Sequence, residues 1–163
     1  MPDEPPPNAV PGTSEALLKA LREMHAGDPI FVERKRDFLN LYTESDAVAA
    51  TMAGQAIEYE LKVSRADFVR DRLKRRNRIY SGELPGLRPN RFYYVTPSGI
   101  IGEDDLPAWA GWLELCGGKL VRRRRAPKLH RDCHGVTVLM RLAVAMRNRE
   151  GRVVGVTPEL AIS

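Results

Sequence analysis

Hydrophobic positions recur at two periods along this chain, and the change from one period to the other marks out its elements. Leu17, Leu18, Leu21 and Met24 fall at helical spacing; Thr13 or Ser14 can cap that helix, and Gly27 stops it just past His25. An extended piece follows at about 29–34, where Ile30 and Val32 alternate with Phe31 and Glu33, and residues 35–44 fit either type. Two short strands come next, 45–51 and 56–63, joined by the turn-prone Met52-Ala53-Gly54-Gln55. In the second, Ile57, Tyr59, Leu61 and Val63 point one way, and Glu58, Glu60, Lys62 and Ser64 the other.

Ser64 and Asp67 have the spacing of a capping box and open a helix from 65 to about 80, with Ala66, Val69, Leu73 and Tyr80 as its inward stripe. A loop carrying Pro85, Gly86 and Pro89 leads to an aromatic strand at 91–95, then a short extended piece at 99–101. Segments 111–116 and 119–125, separated by Gly117-Gly118, form a hairpin. A last helix spans 136–149, with Val136, Leu139, Met140, Ala143 and Met146 inward. The strand–helix–strand passage from 56 to 95 requires a right-handed crossover and a parallel pair within a mixed sheet. The expectation is an α/β sandwich, one domain over 13–149. Residues 1–12, which hold five of the twelve prolines, read as a disordered tail, and 150–163 as a C-terminal tail.

Composition narrows the function. Apolar residues at 43% and charged residues at 29% are ordinary for a globular protein. No apolar run approaches the roughly 18–20 residues of a membrane span, the N-terminus does not resemble a secretion signal, and two cysteines are too few for a disulfide framework. A protein of the reducing cytosol is expected. The net charge of +5 is concentrated: residues 65–91 carry nine Lys/Arg against three acids, and 119–131 carry seven against none. Such a face suits nucleic acid, although a solvated surface would look the same by charge alone.

Chemistry centres on the second strand. Its polar face reads Glu58, Glu60, Lys62, Ser64, with Asp46 on the strand before it and a basic helix directly after. Two carboxylates can hold a divalent cation that lowers the pKa of a bound water, and an ammonium beside them can orient that water and stabilise charge on a phosphorane. The helix start at Ser64–Asp67 adds N–H groups toward a phosphate. Register is the obstacle. With Thr51 opposite Ala56, Asp46 lies opposite Leu61 and on the wrong face, so a bulge or a one-residue shift is needed.

Asp46 followed by the run AIEYELKVSRADFVRD resembles the Asp-(x)n-Glu-x-Lys core of the PD-(D/E)xK nucleases. The segments ELKVSRADF, NRFYYVTPSGII, EDDLPAWAGWLEL and RRAPKLHR are similar to those of MmcB-like DNA-repair proteins and related bacteriophage nucleases, over about residues 14–147. The resemblance implies a restriction-endonuclease-like mixed sheet with flanking helices, DNA as substrate, and Mg²⁺ or Mn²⁺ as cofactor. It makes Asp46 and Glu60 metal ligands and Lys62 the catalytic lysine, with Glu15, Glu58 and Ser64 as additional candidates. The expected activity is a DNA endonuclease, rather than an exonuclease, in repair, recombination or phage DNA processing. The alternative is a DNA-binding accessory protein of the same fold without turnover, since some relatives have lost catalysis.

For DNA contact the candidates are Arg65, Arg70, Lys74, Arg75 and Arg78 on the helix after the Glu-x-Lys strand, and Arg122 and Arg124 on the hairpin, which strict alternation puts on one face. Asp71 pairing locally with Lys74 and Arg75, or a charged sheet edge at 122–125, would explain the same residues without DNA. Cys116, His130, Cys133 and His134 lack zinc-finger spacing. Phe92, Tyr93, Tyr94, Trp109 and Trp112 suit packing better than base stacking. Enzymes that cut both strands commonly pair, so a homodimer is compatible with this reading.

Overall fold

The computed structural model describes residues 13–28, 30–36, 44–51 and 53–131. The helix expected at 136–149, the two tails, Cys133 and His134 lie outside the described residues. Thr13 accepts the Ala16 amide and opens α1 (Ser14–Met24). Six strands then form one sheet in spatial order β1 (Ile30–Arg36), β2 (Glu44–Ala50), β3 (Ala56–Leu61), β4 (Arg91–Pro97), β5 (Gly111–Cys116) and β6 (Lys119–Arg124). β1, β2 and β3 run antiparallel, β3–β4 and β4–β5 are parallel, and β5–β6 is the antiparallel hairpin read from the sequence. This is a mixed-sheet α/β fold. No helix among the described residues is long and apolar enough to cross a membrane.

Parallel neighbours need crossovers. The first passes through α2 (Arg65–Asp71) and α3 (Arg75–Tyr80). The second is a loop with a single 3₁₀ turn at Glu103–Asp105, and 99–101, expected as extended, forms no strand.

Alternation along the central strands divides the apolar residues between two cores. On one face Leu17, Leu18 and Leu21 of α1 cover Ala47, Ala49, Tyr59, Leu61, Tyr93 and Val95. On the other, Phe68, Ile79 and Tyr80 pack on Phe92, Tyr94, Ile101 and Trp112. Helices therefore cover both faces. Each fully buried Leu or Phe among these contributes on the order of 1.5–3 kcal/mol. The aromatics of β4 are packing residues, as expected, whereas Met24 is exposed rather than inward. Gly111 opens β5 under Tyr93, where a Cβ would come within 2.5 Å of the ring and of the Ala126 amide.

Two further expectations are corrected, and both bear on the site. The helix at 65–80 is two helices, broken at Arg72–Lys74. Three of the four residues expected inward face outward: Ala66 is exposed, Val69 is 48% exposed and Leu73 90%; Tyr80 is buried as expected, together with Phe68, Asp71, Arg76 and Ile79. The cause is charge. On an unbroken helix residues five apart point about 140° away from each other, and the break lets Asp71 and Arg76 meet under the sheet.

The β2–β3 register is the second. Ala50, not Thr51, stands opposite Ala56, because Thr51 belongs to the turn: its amide donates to the Gln55 carbonyl at 2.9 Å, and Gly54 takes φ 71°. With Val48 opposite Glu58, Asp46 comes into phase with Glu60. The one-residue shift that the Asp-Glu-Lys reading needs is present.

Candidate functional site

β2 and β3 deliver their polar residues to the face covered by α2 and α3. Asp46 accepts the Leu61 amide at 2.8 Å, which fixes its carboxylate beside the Glu60–Lys62 row. Burial first, and the charge of Glu60 second, push Asp46 up to about 6. Lys62 follows β3 and keeps its parallel pairing through the Val95 carbonyl at 3.0 Å. Its buried ammonium lies 2.8 Å from Glu60 and 3.1 Å from Asp71.

The helix pair supplies the rest. Arg76 is fully buried and bridges two carboxylates, Glu60 at 2.8 Å and Asp71 at 2.7 Å, with Glu58 at 3.9 Å. Its guanidinium also lies 5.0 Å from the Phe92 ring centre. Burial would lower Arg76, but Glu60, Glu58 and Asp71 outweigh it and hold it well above its ordinary value. Lys74 caps the start of α3 in extended backbone and reaches Glu60 and Asp71, each at 2.8 Å, with its side chain 46% exposed. Burial lowers Lys74, and Glu60 with Asp71 raises it further. Tyr94 donates to Asp71 at 2.8 Å. Burial alone would raise Asp71; Arg76, Lys74 and Lys62 bring it below the ordinary carboxylate range.

Glu58 lies beneath the cluster. It accepts from the Tyr80 hydroxyl and, at 2.8 Å, from Ser45, and burial pushes it up. Asp46, Glu58, Glu60 and Asp71 thus surround Lys62, Lys74 and Arg76, four carboxylates for three cations. A cation bound at the cluster would relieve that imbalance, as would a proton on one of the buried carboxylates.

Asp46, Glu60 and Lys62 are brought together as the sequence predicts, and Lys74 joins them. Ser64 is the α2 cap, accepting the Asp67 amide at 3.2 Å. Glu15 is not at the cluster: α1 packs on the opposite face of the sheet, and Glu15 pairs with Arg22 at 3.0 Å. Asp71, Arg76, Ser45, Tyr80 and Tyr94 were not among the expected site residues. Asp71 does pair with Lys74, as the local reading of the helix has it, but Arg76 takes the place given to Arg75. Among the described residues no three His, Cys, Asp or Glu side chains form a group that could hold a metal; the oxygen donors are the Asp46–Glu60 pair.

The basic residues divide. Arg70, Arg75 and Arg78 are exposed on the helix pair; Arg70 approaches Asp67 at 3.7 Å and Arg78 pairs with Glu83 at 3.3 Å. Arg65 holds Asp105 at 2.8 Å. On β6 a register shift at Trp112/Leu113 puts Arg122 opposite Leu113 and Arg124 opposite Trp112, so the two do not share a face as alternation predicts. Arg122 is exposed, whereas Arg124 donates to the carbonyls of Ala110 and Pro107. Arg124→Ala should therefore lower stability by about 1–3 kcal/mol by stripping carbonyls of their donor, measured by urea unfolding. Arg122→Ala should leave stability within about 0.5 kcal/mol. Cys116 contacts Glu114, and His130 is engaged by the Arg88 carbonyl at 2.9 Å.

No family model and no curated protein matches the chain. A solved structure of a protein of unknown function from Silicibacter pomeroyi is similar over 90% of this chain and 98% of its own, with a TM-score of 0.62 at 19% identity. At that identity the likeness concerns the fold alone.

Proposed function

We propose that this chain is a metal-dependent DNA endonuclease with a PD-(D/E)xK core, acting in DNA repair, recombination or phage DNA processing. The observation that carries the reading is the meeting of Asp46, Glu60 and Lys62, with Asp46 tied to the Leu61 amide between the other two. A mixed sheet with helices on both faces suits that core.

The residues fit a divalent cation. Mg²⁺ is held by one or two carboxylates together with waters and substrate phosphate, so the Asp46–Glu60 pair is a sufficient protein contribution. Asp46, raised by burial and by Glu60, is in the electrostatic condition that a cation relieves. When bound, Mg²⁺ or Mn²⁺ supplies a water of lowered pKa and shields the phosphoryl oxygens. Lys62, pinned between Glu60 and Asp71, orients the attacking water and stabilises the charge that develops on the phosphoryl oxygens. Arg76 and Tyr94 fix Asp71 and so position Lys62. Arg70, Arg75 and Arg78 hold the DNA backbone along the helix pair.

A second reading, a DNA-binding accessory protein without turnover, is favoured by one feature. Both Glu60 oxygens already have cationic partners in Lys62, Lys74 and Arg76. Lys74, half-exposed, is the partner able to leave.

Plasmid, linear single-stranded and branched DNA with Mg²⁺ or Mn²⁺, beside an EDTA control, separate the two. Cleavage lost in EDTA, in Asp46→Asn and in Glu60→Gln supports the nuclease. Binding without cleavage supports the accessory protein, and cleavage that survives both substitutions puts the active site elsewhere. Cleavage should rise with pH through about 6, as Asp46 ionises and becomes a ligand. Stability has the opposite sign. A carboxyl raised from 3.8 to about 6 opposes folding above pH 6, and the penalty fades as pH falls toward 3.8. Asp46→Asn keeps an acceptor for the Leu61 amide, so at pH 8 it should be more stable than wild type by on the order of 1–3 kcal/mol. That gain should vanish near pH 4 in thermal melts.

A further inference from the structure

The outward row on α2 has no use in the chemistry above. Ala66, Val69 and Leu73 are all exposed, and Leu73 is 90% exposed in the break between α2 and α3. Its backbone is well held: the Leu73 amide donates to Arg70 at 3.3 Å, the Lys74 amide to Asp71 at 3.1 Å, and the Asn77 side chain to the Asp71 carbonyl at 2.5 Å. The next residue, Lys74, touches Glu60. A large apolar side chain thus stands in water on a fixed turn, one residue from the candidate site.

Its surroundings select the occupant. Of the seven Lys/Arg at 65–78 Arg76 is buried, but Arg70, Arg72 and Arg75 beside Leu73 are exposed, Arg72 with its guanidinium donating to the Asp105 carbonyl at 2.6 Å. A hydrophobic protein partner would meet this ring of cations at a desolvation cost, whereas DNA offers phosphates to the ring and an apolar base stack to the centre. Leucine is among the wedges that proteins insert between base steps, unstacking and kinking the duplex.

We infer that Leu73 is a wedge that enters the base stack of DNA held along the α2–α3 face, so that the site prefers DNA with weakened stacking, such as mismatched, nicked or bubbled duplex, to regular duplex. This rests on the DNA reading proposed above. A base step that is already unpaired demands less unstacking work, which gives the preference.

The test uses the full chain, without divalent metal, on a regular duplex and on the same duplex with a short bubble, each carrying 2-aminopurine at the central step. Anisotropy reports binding, and 2-aminopurine fluorescence reports unstacking. Wild type should bind the bubble about tenfold more tightly than the duplex and brighten the probe. Leu73→Ser should lose both effects while keeping its melting temperature and the salt dependence of its duplex binding, since no phosphate contact is removed. Leu73→Phe should retain both. Binding with no brightening, or equal affinities for the two DNAs, overturns the wedge and leaves the DNA reading intact. No binding to either DNA overturns both. A lower melting temperature or a changed oligomeric state in Leu73→Ser would show Leu73 covered by this chain or a second copy, and would also overturn it.

Discussion

Arg76→Leu is expected to lose about 3–5 kcal/mol of folding stability at pH 7, the usual consequence of removing one partner from a buried charge network. Arg76 is fully buried, bridges Glu60 and Asp71, and lies within 3.9 Å of Glu58. Leucine would fill part of the space, leave Glu60 and Asp71 with only Lys62 and Lys74, and take from Glu58 the cation beside it. The pH dependence follows from Asp71. Burial raises it, but its cations hold it below the ordinary range, so it stabilises the fold above its unfolded pKa near ~3.9 and that contribution is lost on acidification. Without Arg76 much of this disappears. The gap between variant and wild type should be widest at neutral pH and narrow as pH falls through ~4, in urea unfolding at several pH values. Arg76→Lys keeps a charge but cannot span both carboxylates, and should fall between. Equal stability of Arg76→Leu and wild type at pH 7 would mean that the network does not hold the helix pair to the sheet.

The largest expected effect on activity separates two lysines that touch the same oxygen. Lys62 and Lys74 both lie 2.8 Å from Glu60 Oε1, but Lys62 is buried and Lys74 half-exposed. Lys62→Gln should reduce cleavage by about 10²–10³-fold, the range for loss of one preorganised donor to developing charge, with DNA affinity little changed. Lys74→Gln should weaken binding and reduce the slope of log affinity against log salt by about one. It should also bind Mg²⁺ more tightly, because Glu60 loses a competing cation. Single-turnover cleavage and salt titrations distinguish the patterns. If the two variants lose turnover equally, Lys62 has no special role.

The sequence makes the sheet legible where hydrophobic and polar residues alternate. β3, the aromatic strand β4 and the β5–β6 hairpin are each marked by pattern and glycine turns, and so is the parallel crossover. The Asp-Glu-Lys constellation is legible too, but its register is not. Nothing in Thr51–Gln55 says whether Thr51 belongs to strand or turn, and that one residue decides which face Asp46 takes. The helix after Lys62 misleads for a more general reason. Apolar residues at helical spacing predict the buried side, yet here the sheet-facing side is anchored by Asp71 and Arg76, and Val69 and Leu73 face water. Arg76 could be suspected only by pairing it with Asp71 across a break that the sequence does not announce. On β6 a single register shift separates Arg122 from Arg124, which period-two reasoning joins.

Because α2 and α3 grip the sheet through charges shared among Glu60, Asp71, Lys62, Lys74 and Arg76, their detachment cannot be gradual. Lifting one residue strands the partners of another in the interior. In native-state hydrogen exchange the amides of residues 65–80 should open as one cooperative unit, rather than fraying from the short helix ends as seven- and six-residue helices normally do. Such a unit is all on or all off, so any ligand that docks on this face meets a site already set.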